Sequence, residues 1–376
     1  LSAAGFFPTL EDADSDMTKF IRRRWAKFVL WFYSWSFIWA LVIIQSLWRR
    51  RKMSHNNGLA AAGKLRILDN PQIPETDFFQ PGKEFPCRIR HASAAFMDDA
   101  MLLVRAASIK FSDQPIDSPL DIEMNTGRAL FWSVWNFLQF AKNQHEHGGI
   151  QYESYYRKFP AGRDGGQDSV SRDPSSYSRL DFRSQCPFLF NAKDGKRRYV
   201  NFRLIPADRD FEKLKNSPEQ IGWFFGDQRM LEKDPRNRNY LKHEYADRLK
   251  RGPVEYLLQL QLHEATENDS ELVFCSNKIW DEATHPWLDL AAVTIDRMLT
   301  YEESMLMYFS LNNRPKEIGL IEATSIHDYN SLNYIRARAD IAKKARLFAY
   351  RLFGMPKALP DEGPRNVTEI TCEWVR

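Results

Sequence analysis

From Phe28 to Trp48 the chain reads FVLWFYSWSFIWALVIIQSLW, 21 residues without a charge, in a sequence that elsewhere alternates apolar and polar positions over short stretches. As a helix this segment would be roughly 31 Å long, close to the thickness of a bilayer core. Arg22, Arg23, Arg24 and Lys27 precede it, and Arg49, Arg50, Arg51 and Lys52 follow it. The pattern predicts a single membrane-spanning helix over 28–48 that tethers the rest of the chain to a lipid bilayer. The equal basic flanks leave its orientation open. An organelle inner membrane suits such a single-pass protein. Residues 1–27 read as a tail whose acidic start (Glu11, Asp12, Asp14, Asp16) is unlike a transit peptide.

Beyond the span the period changes. Residues 53–140 mix short strands with a helical stretch: Cys87–Arg90 reads as a strand end, and Asp98–Phe111 as helix running into strand. Phe131–Phe140 is strongly apolar. Residues 145–186 carry turn and loop chemistry, and His145 and His147 within them read as a solvated loop. Residues 187–204 predict a hairpin around Asp194-Gly195. Val254–His263, after Pro253, alternates as a strand, and Leu288–Ile295 suits a buried strand. Residues 299–308 and 330–353 predict helices. Asp328 or Asn330 would cap the second, and Gly354-Met355-Pro356 would end it. These elements predict one domain over 53–356 and a tail over 357–376.

Composition narrows the function classes. With 43% hydrophobic residues, 26 Phe and 11 Trp, the chain has ample material for a core. A net charge of +4 with both signs interspersed does not indicate a nucleic-acid partner. Cys87, Cys186, Cys275 and Cys372 lie far apart, without the paired spacing of a zinc site. They suit a reducing compartment, although two disulfides stay open.

Three islands carry the chemistry. The first is Ser54-His55-Asn56-Asn57-Gly58, continuing to Gly63. The second runs from Arg88-Ile89-Arg90 to Met124-Asn125-Thr126-Gly127. The third is Ser331 to Asp340, with Arg336 inside it. Together they resemble the catalase superfamily, most closely its smaller allene-oxide-synthase-like branch. Tyr199–Pro206 and Trp287–Ala291 look like barrel segments of the same family.

The resemblance covers about 53–353 and implies an α+β fold: an antiparallel β-barrel with surrounding helices. It also implies a haem cofactor. On the distal face it implies His55 as acid/base, Ser54 before it as the small hydroxyl residue, and Asn125 orienting a peroxide. Arg90 matches an arginine associated with a haem propionate, and Arg336 the arginine one turn before the proximal ligand. At that ligand position, where the family has tyrosine, stands Asp340. Either Asp340 binds iron, or Tyr350 does, since Arg346-Leu-Phe-Ala-Tyr350 repeats the Arg-xxx-Tyr spacing. If 330–353 is one helix, Tyr350 lies about 15 Å along the axis and about 80° round it from Asp340. That geometry favours packing of Tyr350 among Leu347, Phe348, Leu352 and Phe353, and an i,i+4 ion pair between Arg336 and Asp340.

Two readings therefore stand side by side. One is a membrane-anchored haem enzyme acting on peroxides or fatty-acid hydroperoxides. The other is a haem-free pseudoenzyme serving as an accessory subunit of a membrane protein complex.

Overall fold

Period-two alternation builds the centre of the molecule. The computed structural model describes residues 16–52, 54–93, 99–100, 103–146, 152–171, 174–212, 235–358 and 360–361. Its strands are β1 (Gly58–Ile67), β2 (Glu84–Ser93), β3 (Leu103–Lys110), β4 (Asp121–Thr126), β5 (Val170–Ser171), β6 (Phe182–Ser184), β7 (Phe188–Asn191), β8 (Arg197–Pro206), β9 (Val254–Glu264), β10 (Leu288–Met298) and β11 (Ile318–Gly319). Eight of them close an antiparallel barrel in the order β1-β2-β3-β4-β6-β8-β9-β10, with β10 returning to β1. The β7–β11 pair extends the sheet from β8. The hairpin about Asp194-Gly195, the strand at 254–264 and the strand at 288–298 all lie where the sequence pattern put them.

Alternate side chains fill the barrel: Ile89, Ile109, Ile122, Phe202, Leu258 and Val293 are among its fully buried core. A one-residue slip would exchange this set with the polar outer face. That outer face carries Arg88 and Arg90 on β2, Lys110 on β3, and Asp121, Glu123 and Asn125 on β4. Two glycines hold the register near the first island. A Cβ on Gly58 would lie 2.3 Å from the His91 carbonyl oxygen, and one on Gly63 would lie 2.0 Å from that of Thr294, where the β1–β10 register shifts. Gly127 closes β4 with a φ of 61°, and a Cβ there would meet the Asp168 carbonyl oxygen at 2.2 Å.

Helices cover the outer face. They are α1 (Asp16–Ala40), α2 (Val134–Glu146), α3 (Tyr152–Lys158), α4 (Arg163–Ser169), α5 (Tyr240–Arg251), α6 (Tyr301–Leu306), α7 (Ser331–Arg338) and α8 (Asp340–Phe353). A capping box between Thr300 and Glu303 starts α6.

Several expectations change. The N-terminal helix begins at Asp16, not Phe28, because 17–27 contain no Gly or Pro to stop it. It runs through α1 into a π-helical segment, Leu41–Trp48. Met17–Trp48 is long and apolar enough to cross a membrane, with a mean hydropathy of 1.7 over an 18-residue window. It is not free of the domain, however: Leu30, Ile38, Leu41 and Val42 pack with Val134, Ala323, Ile326, Ile335 and Ala342. The loop expected over 145–186 contains α3, α4 and two short strands. The His145 side chain, His147, Asp98 and Cys372 lie outside the described residues. The other three cysteines are buried free thiols.

The helix expected over 330–353 is two helices. Ala339 turns with ψ −8° and shares its N–H between the Ile335 and Arg336 carbonyls, so α8 starts afresh at Asp340. Neither expected cap acts through its side chain on α7. Asp328 accepts from the Thr324 and Ser325 N–H groups, and Asn330 donates to the Ile321 and Glu322 carbonyls.

Candidate functional site on the outer face of the barrel

The turn before β1 fixes the first residue of the site. Asn56 clamps it from both sides: its Oδ1 accepts from the Lys52 N–H at 2.7 Å, and its Nδ2 donates to the Lys52 carbonyl at 2.8 Å. Held in that turn, His55 adopts a φ of 58°, a left-handed conformation that costs a non-glycine residue energy and is kept only where its surroundings impose it. Ser54 Oγ lies 2.7 Å from His55 Nδ1. With Nδ1 spent on Ser54, the other ring nitrogen, Nε2, is buried and has no hydrogen-bond partner.

The second island contributes through strand alternation. Arg90 projects outward from β2, its guanidinium 3.4 Å from the Asn56 carbonyl oxygen. Glu123 and Asn125 share the outward face of β4, with Met124 buried in the barrel between them. Helices α7 and α8 close over this face: Arg336 pairs with Glu123 at 2.8 Å, and Lys343 with its other carboxylate oxygen at 3.4 Å. Arg336 also donates to Asn333. It therefore makes no ion pair with Asp340. The turn at Ala339 removes the uninterrupted helical register that the i,i+4 pair required.

Asp340 and Tyr350, the two candidate ligand positions, have different surroundings. The Asp340 carboxylate sits at the first turn of α8, with one oxygen engaged within the protein and the other, Oδ1, buried without a hydrogen bond. Its Oδ2 accepts from the Ser310 hydroxyl and, at 3.0 Å, from Asn312 Nδ2, and Lys343 lies 3.5 Å from Oδ1. Tyr350 lies on the buried face of α8 with Ala342, Arg346 and Ala349, a 3.6-residue stripe. Its apolar neighbours are Met305, Tyr308 and Leu347. Phe348, Leu352 and Phe353, expected to pack with it, are exposed. The Tyr350 hydroxyl is buried and meets no partner in good hydrogen-bond geometry, although the Arg346 guanidinium is close enough to interact with it electrostatically. The Arg346 guanidinium lies 5.5 Å from the centre of its ring.

Electrostatically the site is a buried concentration of positive charge. Arg90 and Arg346 are both buried, and among the described residues neither has a carboxylate partner. Each leaves its Nε unsatisfied. Lys52 joins them, donating to the Met307 carbonyl at 2.7 Å, and burial pushes its ammonium well below its usual range. Burial and then Arg346 lower Arg90 to about 10. Burial raises the Tyr350 phenol, against the opposing pull of Arg346 and Arg90. Burial would also raise Glu123, but Lys343 and Arg336 outweigh it and hold the carboxyl at about 2. Burying cations without a counter-charge is costly, so this arrangement suits a ligand that brings anionic groups.

His55 is held neutral. Burial, and then Arg90, lower it to about 4. His91, inside the barrel against Tyr256, is lowered by burial to about 3. Both folded values lie below the usual 6.5, so below that pH the unfolded chain binds protons that the native protein does not. Stability should therefore fall as pH drops from about 6.5 towards 4, by about 2 kcal/mol per histidine at pH 5. Denaturant midpoints at pH 7 and pH 5 measure this, and coincident midpoints would contradict it.

Four residues outside the expected set complete the site: Lys52, Glu123, Lys343 and Arg346. Arg346 was visible as the partner of Tyr350 in the Arg-xxx-Tyr spacing. Glu123 had a weaker signal, an acid two positions before Asn125 and so on the same strand face. Lys52 and Lys343 had none.

No known family profile matches the sequence. The chain is 37% identical over 293 residues to an allene oxide synthase-lipoxygenase protein of Plexaura homomalla, covering 76% of this chain and 27% of that one. It is 28% identical over 347 residues to a linolenate 9R-lipoxygenase of a Nostoc species, covering 85% of this chain and 42% of that protein. It thus spans about a quarter to two fifths of the length of these relatives. Among solved structures, a bacterial catalase superposes with a TM-score of 0.60 at 18% identity, over 83% of this chain and 60% of that one.

Proposed function

Because this chain belongs to the catalase superfamily, we propose that it is a haem-dependent enzyme acting on fatty-acid hydroperoxides, held at a lipid bilayer by its N-terminal helix. The observation that carries this reading is the set of buried polar groups without partners around one patch of the barrel. His55 Nε2, Tyr350 Oη and the Nε atoms of Arg90 and Arg346 all lack a hydrogen bond. Haem fits that set. Arg90 and Arg346, which among the described residues lack carboxylate partners, would hold its propionates, and the Tyr350 oxygen would hold its iron. The neighbouring guanidiniums favour the phenolate form that iron binding requires.

When bound, haem would supply the ferric centre at which the peroxide O–O bond is cleaved. The protein's own residues would manage the protons. His55, neutral at pH 7, accepts the hydroperoxide O–H proton at Nε2 while Ser54 holds Nδ1 and fixes the ring plane. The imidazolium then returns the proton to the departing oxygen. Asn125, two positions along the strand face from Glu123, orients the second oxygen through its amide. The relatives support a lipid substrate, since one is a linolenate 9R-lipoxygenase. A helix that holds the domain at a bilayer suits such a substrate.

The haem-free reading started from a lost proximal ligand at Asp340. Asp340 is engaged by Ser310 and Asn312, and Tyr350, buried beside Arg346, offers a second oxygen donor, which supports the haem-binding reading. Titrating the purified full-length chain with hemin tests the proposal. A Soret band saturating at one haem per chain, with turnover of a fatty-acid hydroperoxide, is the expected result. A chain that takes up no haem would overturn the enzyme reading and restore that of an accessory subunit.

A further inference from the structure

The N-terminal helix has two different faces. Leu30, Ser34, Ile38 and Val42 follow one another at four-residue intervals and are buried against the domain. In the π-helical segment the seam widens to include Leu41, Gln45 and Ser46. Polar contacts fasten it along its length. Lys27 pairs with Glu322 at 2.7 Å, Ser46 Oγ donates to the Ala342 carbonyl at 2.7 Å, and Arg50 donates to the Gly354 carbonyl at 2.9 Å. The opposite face is exposed and aromatic: Trp25, Phe28, Trp31, Phe32, Trp39 and Trp48. At the far end it adjoins α8, whose Leu352 and Phe353 are also exposed.

We infer that this helix lies in the plane of an anionic bilayer, docked on its own domain, with its tryptophan face in the interfacial region, and does not cross. This rests on the membrane attachment proposed above and specifies its mode. A crossing helix that kept its seam would carry Glu322, Arg338, Lys343 and Lys344 on the elements it packs against into hydrocarbon, which excludes such charges. A crossing helix that left its seam would strip the cover from Val134, Ala323, Ile326 and Ile335. An in-plane helix avoids both.

Charge selects the occupant. Arg22–Arg24 at one end and Arg49–Arg51 at the other bracket the aromatic face, matching anionic headgroups. A second copy paired antiparallel through the same face would set these arginine clusters against one another. Evenly distributed tryptophan, with an apolar ring and a polar N–H, is the side chain that the membrane interface favours.

The experiment uses the full chain with phosphatidylcholine vesicles, with and without phosphatidylserine. Sedimentation should show binding at least tenfold stronger to the anionic vesicles. The double variant Trp31→Gln, Trp39→Gln should lose at least tenfold of that binding while keeping its melting temperature. On bound vesicles, Met17→Cys and, separately, Trp48→Cys should both react with a membrane-impermeant maleimide added outside, above the background of the unsubstituted chain. Binding with Met17→Cys protected until detergent is added would overturn the in-plane orientation and leave membrane attachment standing. No binding to either vesicle, whether or not the chain self-associates, would overturn both.

Discussion

Tyr350→Phe should lower hydroperoxide turnover by on the order of a hundredfold or more and displace the Soret band, because it deletes the buried phenol beside Arg346 that is proposed to bind iron. The substitution removes a single oxygen that has no hydrogen bond to lose, so the fold should tolerate it. Asp340→Asn is the paired control. It weakens the acceptor for Ser310 and Asn312 at the start of α8 and should cost stability on the order of 1 kcal/mol, with the haem spectrum unchanged. Absorption spectra and melting curves of the two variants separate these effects. If Asp340→Asn abolished the band and Tyr350→Phe left it intact, iron ligation would belong to Asp340 after all.

His55→Gln should behave in the opposite way. Haem should bind with wild-type stoichiometry, since His55 holds neither its iron nor its propionates in this arrangement. Turnover should fall by about 10²–10⁴-fold, the range expected for removing a positioned general acid/base. The wild-type acid limb should lie well below the usual imidazole range, because burial and Arg90 lower His55 to about 4 and keep its imidazole uncharged at neutral pH. Rate–pH profiles of the haem-loaded wild type and variant read both expectations. A variant within a few-fold of wild type would remove His55 from the reaction.

These outcomes bear on the accessory-subunit reading as well as the enzymatic one. A scaffold would have no reason to keep His55 strained at φ 58° with one ring nitrogen buried and unpaired, or to bury two guanidiniums without carboxylates. Such features cost stability in the absence of a ligand. Their concentration on one face, next to a phenol of the same kind, points to a bound group.

Much was legible in the sequence because it depends on local pattern. Alternation in 254–263 and the apolar run 288–295 specified strands, and Asp194-Gly195 specified a hairpin. The clustering of Ser54, His55 and Gly58, and of Met124, Asn125 and Gly127, marked the two strand ends from which the candidate site is built. The charge-free run of 28–48 announced an apolar helix. Each of these follows from the geometry of a few neighbouring residues.

Tertiary structure decided what local pattern could not. Whether 330–353 was one helix depended on the turn at Ala339, where Ser310 and Asn312, remote in sequence, engage Asp340. That break separates Asp340 from Arg336, gives Arg336 to Glu123, and leaves the unpaired position beside Arg346 to Tyr350. Whether the apolar helix stood free depended on Ile326, Ile335 and Ala342, which bury one of its faces and leave Trp31 and Trp39 outward. In both cases the deciding groups are hundreds of residues away or on another element. The sequence by itself determined which segments form the barrel and which residue types carry the chemistry, through short-range periodicity. Only the packing of distant elements decided what surrounds Asp340 and Tyr350, and which side of the first helix faces outward.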